Sequence, residues 1–147
     1  MTLREALENG LKDAMRAGDD VRKRTLRMAL STIRLAEVEK GGKLDDAGVI
    51  AVLQKELKSR QETIADAQRA HRPDLEADSL AEIAVLESYL PKPFTPEELE
   101  TLARQAVAEA GATNVKEMGM VMKLLMPRLQ GRSTGEQASQ VVRKLLQ

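Results

Sequence analysis

Between Tyr89 and Pro96 the chain reads Tyr-Leu-Pro-Lys-Pro-Phe-Thr-Pro, and this segment holds three of the five prolines. Each proline lacks an amide N–H and disfavours helical geometry in the residue before it, so no helix passes through. The sequence on both sides is patterned for helices. It therefore predicts an all-α chain: an N-terminal helical bundle over 1–90, a Pro-rich junction over 91–95, and a small three-helix domain over 96–147.

Start and stop signals divide the first part into four helices. Thr2 and Glu5 form a capping box, Leu3, Leu7, Leu11 and Met15 mark one face, and Gly18 ends the helix. Asp19 or Asp20 caps a second helix over 20–39. Its apolar arc has two edges, Val21, Thr25, Met28, Thr32, Leu35 and Leu26, Ala29, Ile33, Ala36, so it is expected to be sandwiched between neighbours. After Gly41-Gly42, Asp45 or Asp46 opens a third helix reaching about Ala70. Its stripe of Ile50, Leu53, Leu57 and Ile64 is interrupted at Arg60 and Gln61. Beyond Ile64 the apolar residues shrink to alanines, which predicts an end projecting from the bundle. Pro73 is expected to stop this helix, and a fourth over 75–89 completes a long hairpin with Leu80, Ile83, Leu86 and Leu90 facing inward.

The second part begins with another capping box, Thr95 with Glu98, and Pro96 at the first helical position. That helix runs to Ala110 and closes at Gly111. Asn114 with Glu117 caps a helix over 115–130, and Ser133 with Glu136 caps the last, over 134–146.

Composition narrows the function. Basic and acidic residues balance at 23 each, where a dedicated nucleic-acid binder is usually basic overall. With no Cys, disulfides, thiolate chemistry and Cys-based zinc sites are excluded. The N-terminus has no apolar segment like a signal peptide, and no run approaches the roughly 18 apolar residues of a membrane span. A cytoplasmic monomer is the expectation. Tyr89 and Phe94 are the only aromatic residues, so the core is aliphatic and almost nothing is available for stacking splayed bases.

Chemistry is sparse. There is no phosphate-binding loop, nucleophile elbow or paired-His motif, and no catalytic residue, metal or cofactor is expected. His71, the single histidine, reads as a surface residue at a helix C-terminus rather than a general base. Glu56 with Arg60, and Lys58 with Glu62, read as surface pairs worth about 0.3 kcal/mol each. Two basic features stand out. Lys23, Arg27 and Arg34 fall within about 40° on the second helix, a face that either meets phosphates or stays solvated. Lys116, Lys123, Arg128 and Arg132 gather near the sixth helix and the turn into the seventh, where helix N-terminal amides also suit a phosphate. Of Met118, Met120, Met122 and Met126, Met120 alone is expected to be exposed. Gly119, costing its helix about 1 kcal/mol against Ala, predicts a close helix crossing.

Several stretches resemble the YqeY-like family: LRMALSTIRLAEVE, VIAVLQKELKSRQETIADAQRAHRPDL, LESYLP and GATNVKEMGMVMKLLMPRLQGRSTGEQASQVVRKLL. The resemblance covers essentially the whole chain and is most specific in the last stretch. That family is related to the tail of the B subunit of the tRNA-dependent amidotransferase, which makes Gln-tRNA or Asn-tRNA from the misacylated Glu or Asp form. The resemblance implies a noncatalytic tRNA- or RNA-contacting protein, and the basic residues Lys116, Lys123, Arg128 and Arg132 are the contact face expected from their charge and spacing. Two alternatives stand beside it: an adaptor to a synthetase or translation factor, and an accessory of the amidotransferase. A label of carbon–nitrogen ligase with glutamine as amide donor follows only from the relationship, since nothing here matches the catalytic domain.

Overall fold

The computed structural model describes residues 1–147, which form seven α-helices and no strand. Two compact units divide the chain, Met1–Leu90 and Pro91–Gln147. No helix is long and apolar enough to cross a membrane.

The first unit contains α1 (Leu3–Ala17), α2 (Asp20–Lys40), α3 (Asp46–Arg69) and α4 (Pro73–Glu87). The starts of α1, α2 and α3 are capped by side chains. Thr2 and Glu5 complete the capping box, while Asp19 and Asp45 accept the amides of Arg22 and Gly48. The inward face of α1 runs through Leu7, Gly10 and Ala14, turning Met15 outward. Leu7, Leu26, Ala29, Leu30, Ile33, Val49, Leu53 and Leu86 form the core. Each fully buried leucine contributes about 2 kcal/mol.

Close approach at Gly10 shapes one end of this core. A β-carbon there would stand 2.0 Å from the Tyr89 hydroxyl oxygen and 3.3 Å from Leu26 Cδ1. The tyrosine ring therefore occupies the room that glycine leaves, and its hydroxyl accepts from Arg22 at 3.5 Å.

Between α2, α3 and α4 lies a feature the apolar pattern conceals. Arg60 does not interrupt the stripe of α3 as a surface residue; it is buried, with 8% exposure. Its Nε donates to Glu82 on α4 at 3.1 Å, and it also pairs with Glu56. Glu82 in turn accepts from Arg24 on α2 at 3.3 Å, and Thr32 on α2 donates to Glu56 at 2.9 Å. The Glu56–Arg60 pair is thus the middle of a chain of charges linking three helices. Every buried side-chain polar atom has a partner.

This cluster explains where α4 departs from its expected face. The side turned inward carries Ser79 and Leu86, with Glu82 half-buried, and Leu80 is exposed. Leu86 is buried as expected, and Ile83 and Leu90 are half-buried, but before Ile83 small Ser79 and charged Glu82 take inward positions and Leu80 does not. Nor does Pro73 act only as a stop. It is the first residue of α4, while α3 ends at Arg69 and His71 turns the chain with a positive φ of 54°. The end of α3, expected to project, is covered on one side: Ala67 is buried and Gln68 donates to Glu76 at 3.0 Å.

The second unit comprises α5 (Pro96–Ala110), a 3-10 turn (Val115–Glu117), α6 (Met118–Leu129) and α7 (Gly135–Leu146). Leu99, Ala103, Ala106, Val121, Leu125, Leu129, Ala138, Val142 and Leu146 make its core, with Phe94 packed against them. Thr95 caps α5, but Glu98 does not close the expected box, because its carboxylate goes to Arg132. The box at α7 is Thr134 with Gln137, one residue beyond the expected Ser133 and Glu136. Both pairs fit the capping pattern, and the helix begins where the Gln137 side chain reaches back to the Thr134 amide.

Three outcomes test this packing. Gly10→Ala, a change that gains about 1 kcal/mol in an open helix, is expected to lose about 1–3 kcal/mol here. Adding Tyr89→Phe to it is expected to recover part of that loss in thermal melts. Arg60→Ala strands Glu56 and Glu82 and is expected to cost about 3 kcal/mol in urea unfolding. The third concerns acid. Donation from Arg4, and then from the Leu44 amide, holds the Glu37 carboxyl below its ordinary value of 4.5. The folded chain binds that proton more weakly than the unfolded one, so this stability is present above pH 4.5 and is lost as pH falls below it. Glu37→Gln is expected to flatten the fall in melting temperature between about pH 5 and about pH 3. An unchanged acid slope would show that Glu37 carries none of it.

Candidate nucleic-acid interface

The four cations expected to form one patch in the second unit divide into two pairs. Lys116 and Lys123 are exposed and have no ion-pair partner. Lys116 sits in the 3-10 turn, fixed by Asn114, whose side chain accepts the Lys116 amide at 2.9 Å. Seven residues separate the two lysines, so they share one face to within about 20°.

Arg128 and Arg132 are engaged within the unit. Arg128 lies about 140° around α6 from Lys123 and pairs with Glu109 of α5. That bond keeps the Glu109 carboxyl below its ordinary value and Arg128 more firmly charged. Arg132 is a clasp. Its Nε donates to the Lys92 carbonyl at 2.8 Å, it pairs with Glu98 at 3.2 Å, and its guanidinium lies over the Phe94 ring at 4.1 Å. The Phe94 amide returns a bond to the Arg132 carbonyl at 3.0 Å. This one residue pins the Pro-rich segment against the turn between α6 and α7. Gln130 and Gly131, both with positive φ, make that turn tight. Sequence spacing revealed none of these partners, because each lies 19 or more positions away.

The outward face of α6 differs from expectation at Gly119. No helix crosses there: a β-carbon would meet nothing within 4 Å. The glycine instead lies on an open surface with Lys116, Lys123, Val115, Met120 and Met126, all exposed, and no acidic side chain shares that arc. Met126 is exposed together with Met120, while Met118 and Met122 are half-buried.

In the first unit, Lys23 is half-buried and pairs with Asp20 at 3.8 Å, whereas Arg27 and Arg34 are exposed without ion-pair partners. His71 is exposed at the turn after α3. No three His, Asp or Glu side chains converge to hold a metal ion.

Comparison with known proteins adds three yeast relatives, each called altered inheritance of mitochondria protein 41, mitochondrial. The one from Vanderwaltozyma polyspora is 34% identical over 98 residues, covering 65% of this chain and 53% of that protein. The one from Kluyveromyces lactis is 39% identical over 85 residues, covering 57% and 46%; that of Lachancea thermotolerans is 35% identical over the same length. The chain spans about half the length of the curated relatives it matches. Their mitochondrial designation overturns the expected cytoplasmic assignment. That expectation rested on missing apolar segments, which speak only to secretion and membrane spanning. A family model for YqeY-like proteins matches residues 4–146, and the chain belongs to the YqeY-like family.

Proposed function

We infer that this chain is a noncatalytic RNA-contacting protein whose contact surface is the outward face of α6. The observation that carries this reading is the pair of exposed, unpartnered lysines, Lys116 and Lys123, on an acid-free arc with open backbone at Gly119. A helix with no side chain at its centre lets a sugar–phosphate backbone lie close, and the flanking ammonium groups then meet phosphates as point charges. With only two aromatic residues in the chain, this binding reads the shape and charge of structured RNA rather than splayed bases. The resemblance of the last stretch to the tRNA-holding tail of the amidotransferase B subunit favours tRNA as that RNA. Arg128 and Arg132 support the surface indirectly, by fixing α6 to α5 and to the Pro-rich segment.

Filter binding of tRNA at low salt tests the assignment. Lys116→Glu with Lys123→Glu is expected to weaken binding about tenfold or more and to reduce the salt slope by about 1.5, from about 0.7–0.9 for each lost phosphate contact. Unchanged binding in the double variant sinks the site. Arg128 and Arg132 are poor probes, since their loss disturbs folding as well.

A further inference from the structure

Along the outward face of α2, Met28, Ser31, Leu35 and Val38 follow one another at spacings of three, four and three. That is the repeat of a coiled-coil seam, yet here it is exposed: Met28 by 50%, Leu35 by 67% and Val38 by 79%. Leu35 and Val38 are far more open than an aliphatic side chain needs to be on a helix otherwise packed against α1, α3 and α4. Arg27 and Arg34, each one residue before a seam position and seven apart, stand on the same flank. Both are exposed and neither has an ion-pair partner. The opposite flank carries Thr32, which is tied to Glu56, and the exposed Glu39.

The geometry points to a docking surface for an amphipathic helix of another protein, one with an apolar seam and acidic residues along the flank that meets Arg27 and Arg34. Charge decides between occupants. A second copy of α2 in antiparallel register sets Arg27 against Arg34, and in parallel register offers Arg34 the partner's Glu39 but leaves Arg27 facing a threonine. An acidic helix satisfies both arginines and covers Leu35 and Val38 together. Nucleic acid matches the arginines alone, because phosphates leave the aliphatic seam wet. Met28 completes the seam on a firm base, since its sulfur accepts from the buried Arg60 at 2.9 Å.

The test uses the full chain and two labelled synthetic helices of three heptads, both with leucine seams, one flanked by glutamates and the other by lysines. Fluorescence anisotropy is expected to show the acidic helix binding at least about tenfold more tightly than its basic twin. Leu35→Gln with Val38→Gln is expected to weaken that binding at least about tenfold, and Arg27→Glu with Arg34→Glu to reverse the preference. All four positions are exposed, so the variants should melt like the parent. Three results overturn the proposal: equal binding of the two helices, binding that survives loss of Leu35 and Val38, or self-association of the chain that the same double variant abolishes. Displacement of the acidic helix by tRNA would instead give Arg27 and Arg34 to nucleic acid and also overturn it.

Discussion

Arg60 sets the terms for the first unit. A guanidinium placed among three helices must find enough acceptors, and the two carboxylates it finds, Glu56 and Glu82, come from α3 itself and from α4. Glu82 then engages Arg24, and Glu56 engages Thr32, so α2 is drawn into the same network. Hydrophobic burial would permit α4 to slide or rotate against α3, because one aliphatic side chain substitutes readily for another. A buried cation does not permit this, since any shift that strands it is penalised by several kcal/mol. The network therefore determines which residue of α4 faces inward and why Leu80 is left outside.

Arg132 does comparable work in the second unit, but for a loop. Lys92 and the half-buried Phe94, with Glu98 at the start of α5, are held to the turn between α6 and α7 through a carbonyl, a ring face, a backbone bond and a carboxylate. Arginine suits this position because its planar fork bonds at its edge and stacks on its face simultaneously. The consequence for function is a sorting of charges. Arg128 and Arg132, which look available to a ligand, are partly spent on the protein, whereas Lys116 and Lys123 are left to solvent.

Helix number, order and most ends were legible because their causes are local. A capping side chain acts over three residues, a glycine with positive φ over one, and a heptad of leucines over two turns. What was hidden has partners far away in sequence. Arg60 looked like a break in a stripe because Glu82 is 22 residues distant. Arg128 and Arg132 looked free because Glu109 and Glu98 sit on another helix. Gly119 resembled a crossing point, since a glycine in a helix invites a neighbour, and only the absence of that neighbour shows an open surface. The lysine pair survived from sequence to structure because one helical face is a property of spacing alone.

The contact between Gly10 and Tyr89 also has a spectroscopic side. Tyr89 is the chain's one tyrosine and there is no tryptophan, so a single ring carries its near-ultraviolet fluorescence. That ring is packed in the first unit, with its hydroxyl held by Arg22 and its body against the core of Leu7 and Leu26. Tyrosine emission therefore follows the opening of the helical bundle and is blind to the second unit, whose only aromatic side chain is Phe94. Combined with far-ultraviolet dichroism, which sums all seven helices, it separates the unfolding of the two units in an unlabelled chain.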